Sequence, residues 1–172
     1  VGGGAQIKAM RQVAGRLRLD LAQYRELEAF ASFGSDLDAA TQKQLAGGQR
    51  IVEVLKQPQY APMPVEHQVM IIWAVTNGHL DDIPVEQVRA FELGFHEFMR
   101  TRKSEVINAL KQSKALGKDV EEPLTKAVNE YKETFRAERG DGRVAAGAGA
   151  GTTNRADNKG SPTETTKANP LA

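Results

Sequence analysis

The 172-residue sequence contains no cysteine. That excludes a disulfide framework, a thiol nucleophile and any metal site built on thiolates. It also has almost no charge imbalance, with 23 lysines and arginines against 22 aspartates and glutamates. No net field therefore marks the chain as a binder of nucleic acid or of anionic membranes. Long hydrophobic runs are missing too. The longest, VMIIWAV from Val69 to Val75, falls far short of the roughly 20 residues of a membrane span, and the first residues lack the charged and apolar blocks of a signal peptide. Stretches alternating with period two over a strand length are hard to find, which leaves little basis for a sheet.

What is present is helical periodicity, and the expected fold class is all-α, a bundle of about six helices opening with a long helical hairpin. From Ile7 the positions Met10, Ala14, Leu17, Leu21 and Tyr24 recur at steps of three and four, one stripe of a helix reaching to about Ala31. FGSDLDAAT then breaks it. Gly34 suits the left-handed residue that ends a helix, and Ser35, Asp36 and Asp38 suit the N-cap of the next. The second arm is expected to turn Leu45, Val52 and Leu55 inward and to stop near Gln57, because a residue before proline is pushed out of the helical region. Pro64 and Glu66 announce a third helix through Val65, Val69, Ile72 and Trp73, ended by Gly78. Val88, Phe91, Phe95 and Phe98 mark a fourth, Val106, Ile107 and Leu110 a fifth, and Leu124, Val128, Tyr131 and Phe135 a sixth. The domain is expected over 1–137. Residues 138–172 change to a polar Gly/Ala-rich composition whose only sizeable aliphatic side chains are Val144 and Leu171, too little apolar area to offset ordering, so a disordered tail is expected.

Candidate chemistry is sparse. The spacing of Gly147, Gly149 and Gly151 imitates a phosphate loop without the strand and helix such a loop needs. HEFMR, His96 to Arg100, opens like a zinc-protease helix but has arginine where the second histidine belongs. His67 and His79 read as isolated, and no metal site is expected. Asp81 and Asp82 fit as charges capping the helix that follows them. No set of nucleophile, base and oxyanion donors can be assembled, so no catalytic residue is expected. LKQPQYAPMPVEHQ stands apart. In an extended segment Gln57 and Gln59 face the same side around the stiff Pro58. Paired amides there fit either the donor and acceptor edge of adenine or ordinary exposure to water.

VGGGAQIKAM, LRLDLAQYRELEAFASFGSDLDAAT, LKQPQYAPMPVEHQV and TNGHLDDIPVEQVRAFE, in that order, closely resemble the C-terminal part of the alpha subunit of rotary proton-translocating ATP synthase. The resemblance covers about Val1 to Phe135. It implies a helical domain beside beta subunits and the central-stalk gamma subunit, in a complex peripheral to the cytoplasmic face of a bacterial membrane. It implies that Gln57 and Gln59 line the adenine end of a non-catalytic nucleotide site, with ATP or ADP and magnesium bound by the complete subunit and no cofactor by this stretch alone. Many family members have glycine where Pro58 stands, which bears on how the amides point. In the family, serine and arginine precede VGG, the arginine serving the neighbouring catalytic site, and the phosphate loop lies further upstream. The resemblance thus implies an excised, non-catalytic part of an enzyme. It also makes Asp36 and Asp38 candidates for facing the rotor. The long polar extension resembles actinobacterial forms, and its Arg143, Arg155, Lys159 and Lys167 are candidate contacts that restrain ATP hydrolysis, the alternative being an inert extension. A free-standing helical interaction module is the competing reading of the whole chain.

Overall fold

A computed structural model of the chain describes residues 2–32, 37–57 and 61–139. Among the described residues there are six α-helices and no strands: α1 (Lys8–Ala31), α2 (Ala39–Leu55), α3 (Val65–Thr76), α4 (Val88–Arg102), α5 (Ser104–Ser113) and α6 (Lys118–Glu138), with short 3-10 turns at Gly3–Ala5 and Val85–Gln87. The expected all-α bundle and its opening pair of long helices are therefore what the structure contains. The expected tail lies outside the described residues.

The centre of the bundle is α3. Every residue from Val69 to Thr76 is buried, so this helix has no solvent face, as its almost uniformly apolar sequence requires. It ends as expected: Gly78 takes φ 77°, the left-handed region open to glycine. Around it, α4 contributes Val88, Phe91, Phe95 and Phe98, α5 contributes Val106, Ile107 and Leu110, and α6 contributes Leu124, Val128, Tyr131 and Phe135. These are the stripes expected from periodicity. The rings of Phe91, Phe95, Phe98 and Phe135 surround Tyr131 with centroids 5.0–5.9 Å from it. Burial pushes the Tyr131 phenol up to about 12.

The hairpin departs from its expected faces. On α1 the stripe Met10, Leu17 and Leu21 packs only partly against the core, and the deepest positions are Ala9 and Val13. On α2 the inward residues are Gly48, Arg50, Ile51 and Val54, whereas Leu55 is 43% exposed. The inward face is rotated away from Leu45, Val52 and Leu55 because of Gly48. A Cβ there would fall 2.2 Å from Tyr24 Cδ2, so α1 and α2 meet through a glycine that carries no hydropathic signal. Val52 and Leu55 instead line an open groove with Leu21 and Tyr24.

Long-range hydrogen bonds close the bundle. The Gln12 side chain donates to the carbonyl of Leu116 at 3.1 Å and accepts from its amide at 3.0 Å. The Ala9 amide donates to the carbonyl of Lys114 at 2.8 Å. Buried Arg50 donates from Nε to the Ile83 carbonyl at 2.8 Å and from Nη1 to the Ala46 carbonyl at 2.6 Å, tying α2 to the approach to α4. No helix among the described residues is long and apolar enough to cross a membrane.

Candidate functional site

Gln57 follows the C-terminus of α2. The helix stops at Leu55, Lys56 turns extended with φ −77° and ψ 100°, and Gln57 is exposed. Proline at the next position is the local cause. Pro58, Gln59 and Tyr60 lie outside the described residues. The chain is described again from Ala61, and Pro64 serves as N-cap of α3. The Gln68 side chain donates to the Met63 carbonyl at 2.7 Å and fixes the approach to that helix. Lys56 pairs with Glu53. In sequence the glutamines thus fall between the end of α2 and the start of α3.

Of the two aspartates in the interhelical turn, Asp36 lies outside the described residues. Asp38 is the N-cap of α2, its Oδ1 accepting from the Thr41 amide at 2.6 Å. That backbone hydrogen bond holds the carboxyl below its ordinary range. The Thr41 side chain and the Ala40 amide add smaller contributions in the same direction. The tail candidates Arg143, Arg155, Lys159 and Lys167 all lie outside the described residues.

Other polar residues are used differently from expectation. Asp81 and Asp82 make no helix cap. The chain enters α4 through Pro84 and a 3-10 turn, which leaves the two carboxylates short of the first helical amides, and neither helix start has a side-chain cap. Asp82 instead pairs with α6 through Lys132 Nζ at 2.7 Å and through Arg136. His79 stacks on Trp73 with centroids 5.0 Å apart, and burial lowers its tendency to protonate, followed by the charge of Lys132. His67 is not isolated, since the bundle brings its Nδ1 to 3.1 Å from His96 Nδ1, 29 residues away. Glu92 is the site-like residue that sequence reasoning missed, and His96, read there only as the start of an incomplete zinc motif, is its neighbour. Helical spacing puts them one turn apart, but only tertiary packing adds His67. No group of three metal-ligating side chains occurs among the described residues.

The family model for the ATP synthase alpha/beta chain, C terminal domain, matches residues 6–131. The chain belongs to this family. It is also 57% identical over 144 residues to ATP synthase subunit alpha of Acidothermus cellulolyticus, an alignment covering 84% of this chain and 26% of that protein. The resemblance drawn from the four sequence stretches is thereby borne out. The chain spans about a quarter of the length of the curated relative it matches.

Proposed function

We propose that this chain acts as the C-terminal domain of an ATP synthase alpha subunit, a structural and regulatory part of a rotary complex that makes ATP from a proton gradient. It packs beside beta subunits and the central-stalk gamma subunit, and the complex is peripheral to the cytoplasmic face of the membrane. The observation that carries the reading is the 57% identity to an alpha subunit, which spans the segment bearing Gln57. That residue stands exposed just after a helix end, where an amide is free to meet a ligand. Gln57 and Gln59 contact the adenine of ATP or ADP at a non-catalytic site, while the phosphates and magnesium are bound elsewhere in the complete subunit. Catalysis belongs to other parts of the complex.

The test is direct. Replacing both glutamines by alanine in the complete alpha subunit is expected to weaken adenine-nucleotide binding at non-catalytic sites by about 1–3 kcal/mol, the value of lost specific hydrogen bonds. Fluorescence titration of the assembled complex measures it, and unchanged ATP affinity removes the assignment. Asp38, while capping α2 at the surface, faces the rotor. The polar tail, through Arg143, Arg155, Lys159 and Lys167, drags on rotation in the hydrolysis direction. Each exposed contact contributes on the order of 1 kcal/mol or less, so the effect is a drag and not a lock. Deleting residues 140–172 in the assembled enzyme is expected to raise the ATP hydrolysis rate, and an unchanged rate marks the tail as inert.

A further inference from the structure

A polar contact joins the first turn of α3 to α4. Glu92 is completely buried. Its Oε2 accepts from Arg89 Nη1 at 3.0 Å. Its Oε1 has no hydrogen-bond partner and lies 3.7 Å from His96 Nε2, which is also buried and unpartnered. On the far side of the same ring, His96 Nδ1 is 3.1 Å from His67 Nδ1. The two rings meet edge to face with centroids 4.9 Å apart.

This geometry restricts where protons can be. Two imidazole nitrogens at hydrogen-bond distance need one N–H and one lone pair between them. A carboxylate oxygen facing His96 Nε2 favours the proton on that nitrogen, which leaves His96 Nδ1 as acceptor. His67 Nδ1 must then be the donor. The chain runs His67 Nδ1–H to His96 Nδ1 and His96 Nε2–H to Glu92 Oε1. It satisfies both orphaned atoms with neutral rings, once the longer gap closes by about half an ångström to reach hydrogen-bond range.

We propose that His67, His96 and Glu92 form a proton-operated latch that pins the first turn of α3 to α4, closed with neutral rings and opened when both rings are protonated. One added proton is accommodated, because a charged ring beside a neutral one can still place one N–H and one lone pair between the two Nδ1 atoms. When both rings are charged, two N–H groups are set against each other, and the rings must separate. Burial, and then the neighbouring His96, lower the tendency of His67 to protonate. Glu66 on its own helix opposes them, and Lys111 from α5 and Arg100 from α4 reinforce them. The folded state therefore binds fewer protons than the unfolded chain as pH falls below the ordinary histidine range near about 6.5. The latch's stabilisation is complete above that range and is lost as pH falls through the folded value. The first turn of α3 follows directly on Met63 and Pro64, so the latch also fixes the far end of the segment that starts at Gln57. Proton uptake would loosen that end without touching the glutamines.

The test uses the 15N-labelled 172-residue chain and long-range proton–nitrogen correlation of its histidine rings. At about pH 7.5, above the ordinary histidine range, His67 is expected as the Nδ1–H tautomer and His96 as Nε2–H. In His96→Gln the His67 ring is expected to revert to the Nε2–H tautomer usual for a free imidazole. Amide exchange is the second measurement. Relative to intrinsic rates, the amides of Gln68 and Val69 are expected to lose about tenfold or more of their protection between about pH 7.5 and pH 5. The doubly substituted His67→Gln, His96→Gln chain is expected to show no such pH-dependent loss. The spectrum of the unsubstituted chain decides the matter even if a variant fails to fold. Finding His67 as Nε2–H there overturns the proposal. So does zinc chloride raising the Tm of the unsubstituted chain but not of His67→Gln, because the ring pair would then be a metal clip.

Discussion

At the scale of single residues, the structure depends on side chains whose partners are far away in sequence. Arg50 is the clearest case. Its guanidinium sits in the core and satisfies the carbonyls of Ile83 and Ala46. Arg50→Ala removes both donors and leaves the buried Ile83 carbonyl unpaired. It is expected to cost about 1–3 kcal/mol in urea denaturation. Lys114 points the other way. It caps α5 in the left-handed conformation at φ 53°, where a Cβ is unfavourable. Lys114→Gly is expected to raise stability by about 0.5–1 kcal/mol in the same measurement. None of this was legible in the sequence. A lysine looks like any surface residue, and nothing around Arg50 signals a carbonyl 33 positions on. The same holds for His67, which reads as a lone histidine until α3 and α4 are packed. Gln57 is a different matter, because the proline after it announces the helix end that leaves it exposed.

At the scale of elements, legibility followed the strength of the local signal. Pro64 and Gly78 bracket α3, and the phenylalanine stripe of α4 gave both the helix and its buried face, since each cue is local and agrees with the others. The buried face of α2 was misjudged because its closest contact is made by Gly48, which periodicity counts as neither polar nor apolar. That contact yields a prediction. Gly48→Ala puts a methyl into the base of the Tyr24 ring, where neither helix can shift without disturbing α3, and is expected to destabilise the chain by about 1–3 kcal/mol. Gly94 behaves alike between α4 and α6, where a Cβ would fall 2.0 Å from the Tyr131 hydroxyl. The start of α2 offers a pH-dependent check. The Thr41 amide holds the Asp38 carboxyl below its ordinary range, so the cap's contribution is present above the unfolded value near about 3.9 and vanishes as pH falls through the folded one. Asp38→Ala is expected to lower Tm at neutral pH and to match the unsubstituted chain once Asp38 is protonated. A calorimetric series across that range measures both limits.

At the scale of the whole molecule, the described residues should unfold cooperatively, because α3 is shared by its neighbours and cannot leave without exposing them all. The last amides to exchange with deuterium are expected in Val69–Val75, and exchange there as fast as in α1 would contradict the central role given to this helix. Leu19, Phe30 and Leu93 remain more than half exposed. Concentration-dependent association, measurable by sedimentation, is therefore expected for the chain on its own.

The clamp between Gln12 and Leu116 has a consequence for the order in which the protein can be made. Synthesis runs from the N-terminus, so α1 leaves the ribosome long before the loop that receives its first turn. Until Leu116 emerges, both hydrogen bonds of Gln12 and the acceptor for the Ala9 amide are missing, and Ala9 and Val13 have an incomplete seat. Contacts between residues more than a hundred positions apart form late for the same entropic reason even in refolding from denaturant. The N-terminal turn of α1 should therefore be sensitive to proteolysis in nascent chains stalled before Leu116 is exposed, and become resistant once the α5–α6 loop is free. Cleavage near Lys8 and Arg11 at successive stall lengths would reveal that step. An early resistance, reached while Leu116 was still inside the ribosome, would mean that α2 and α3 alone suffice to seat the first helix.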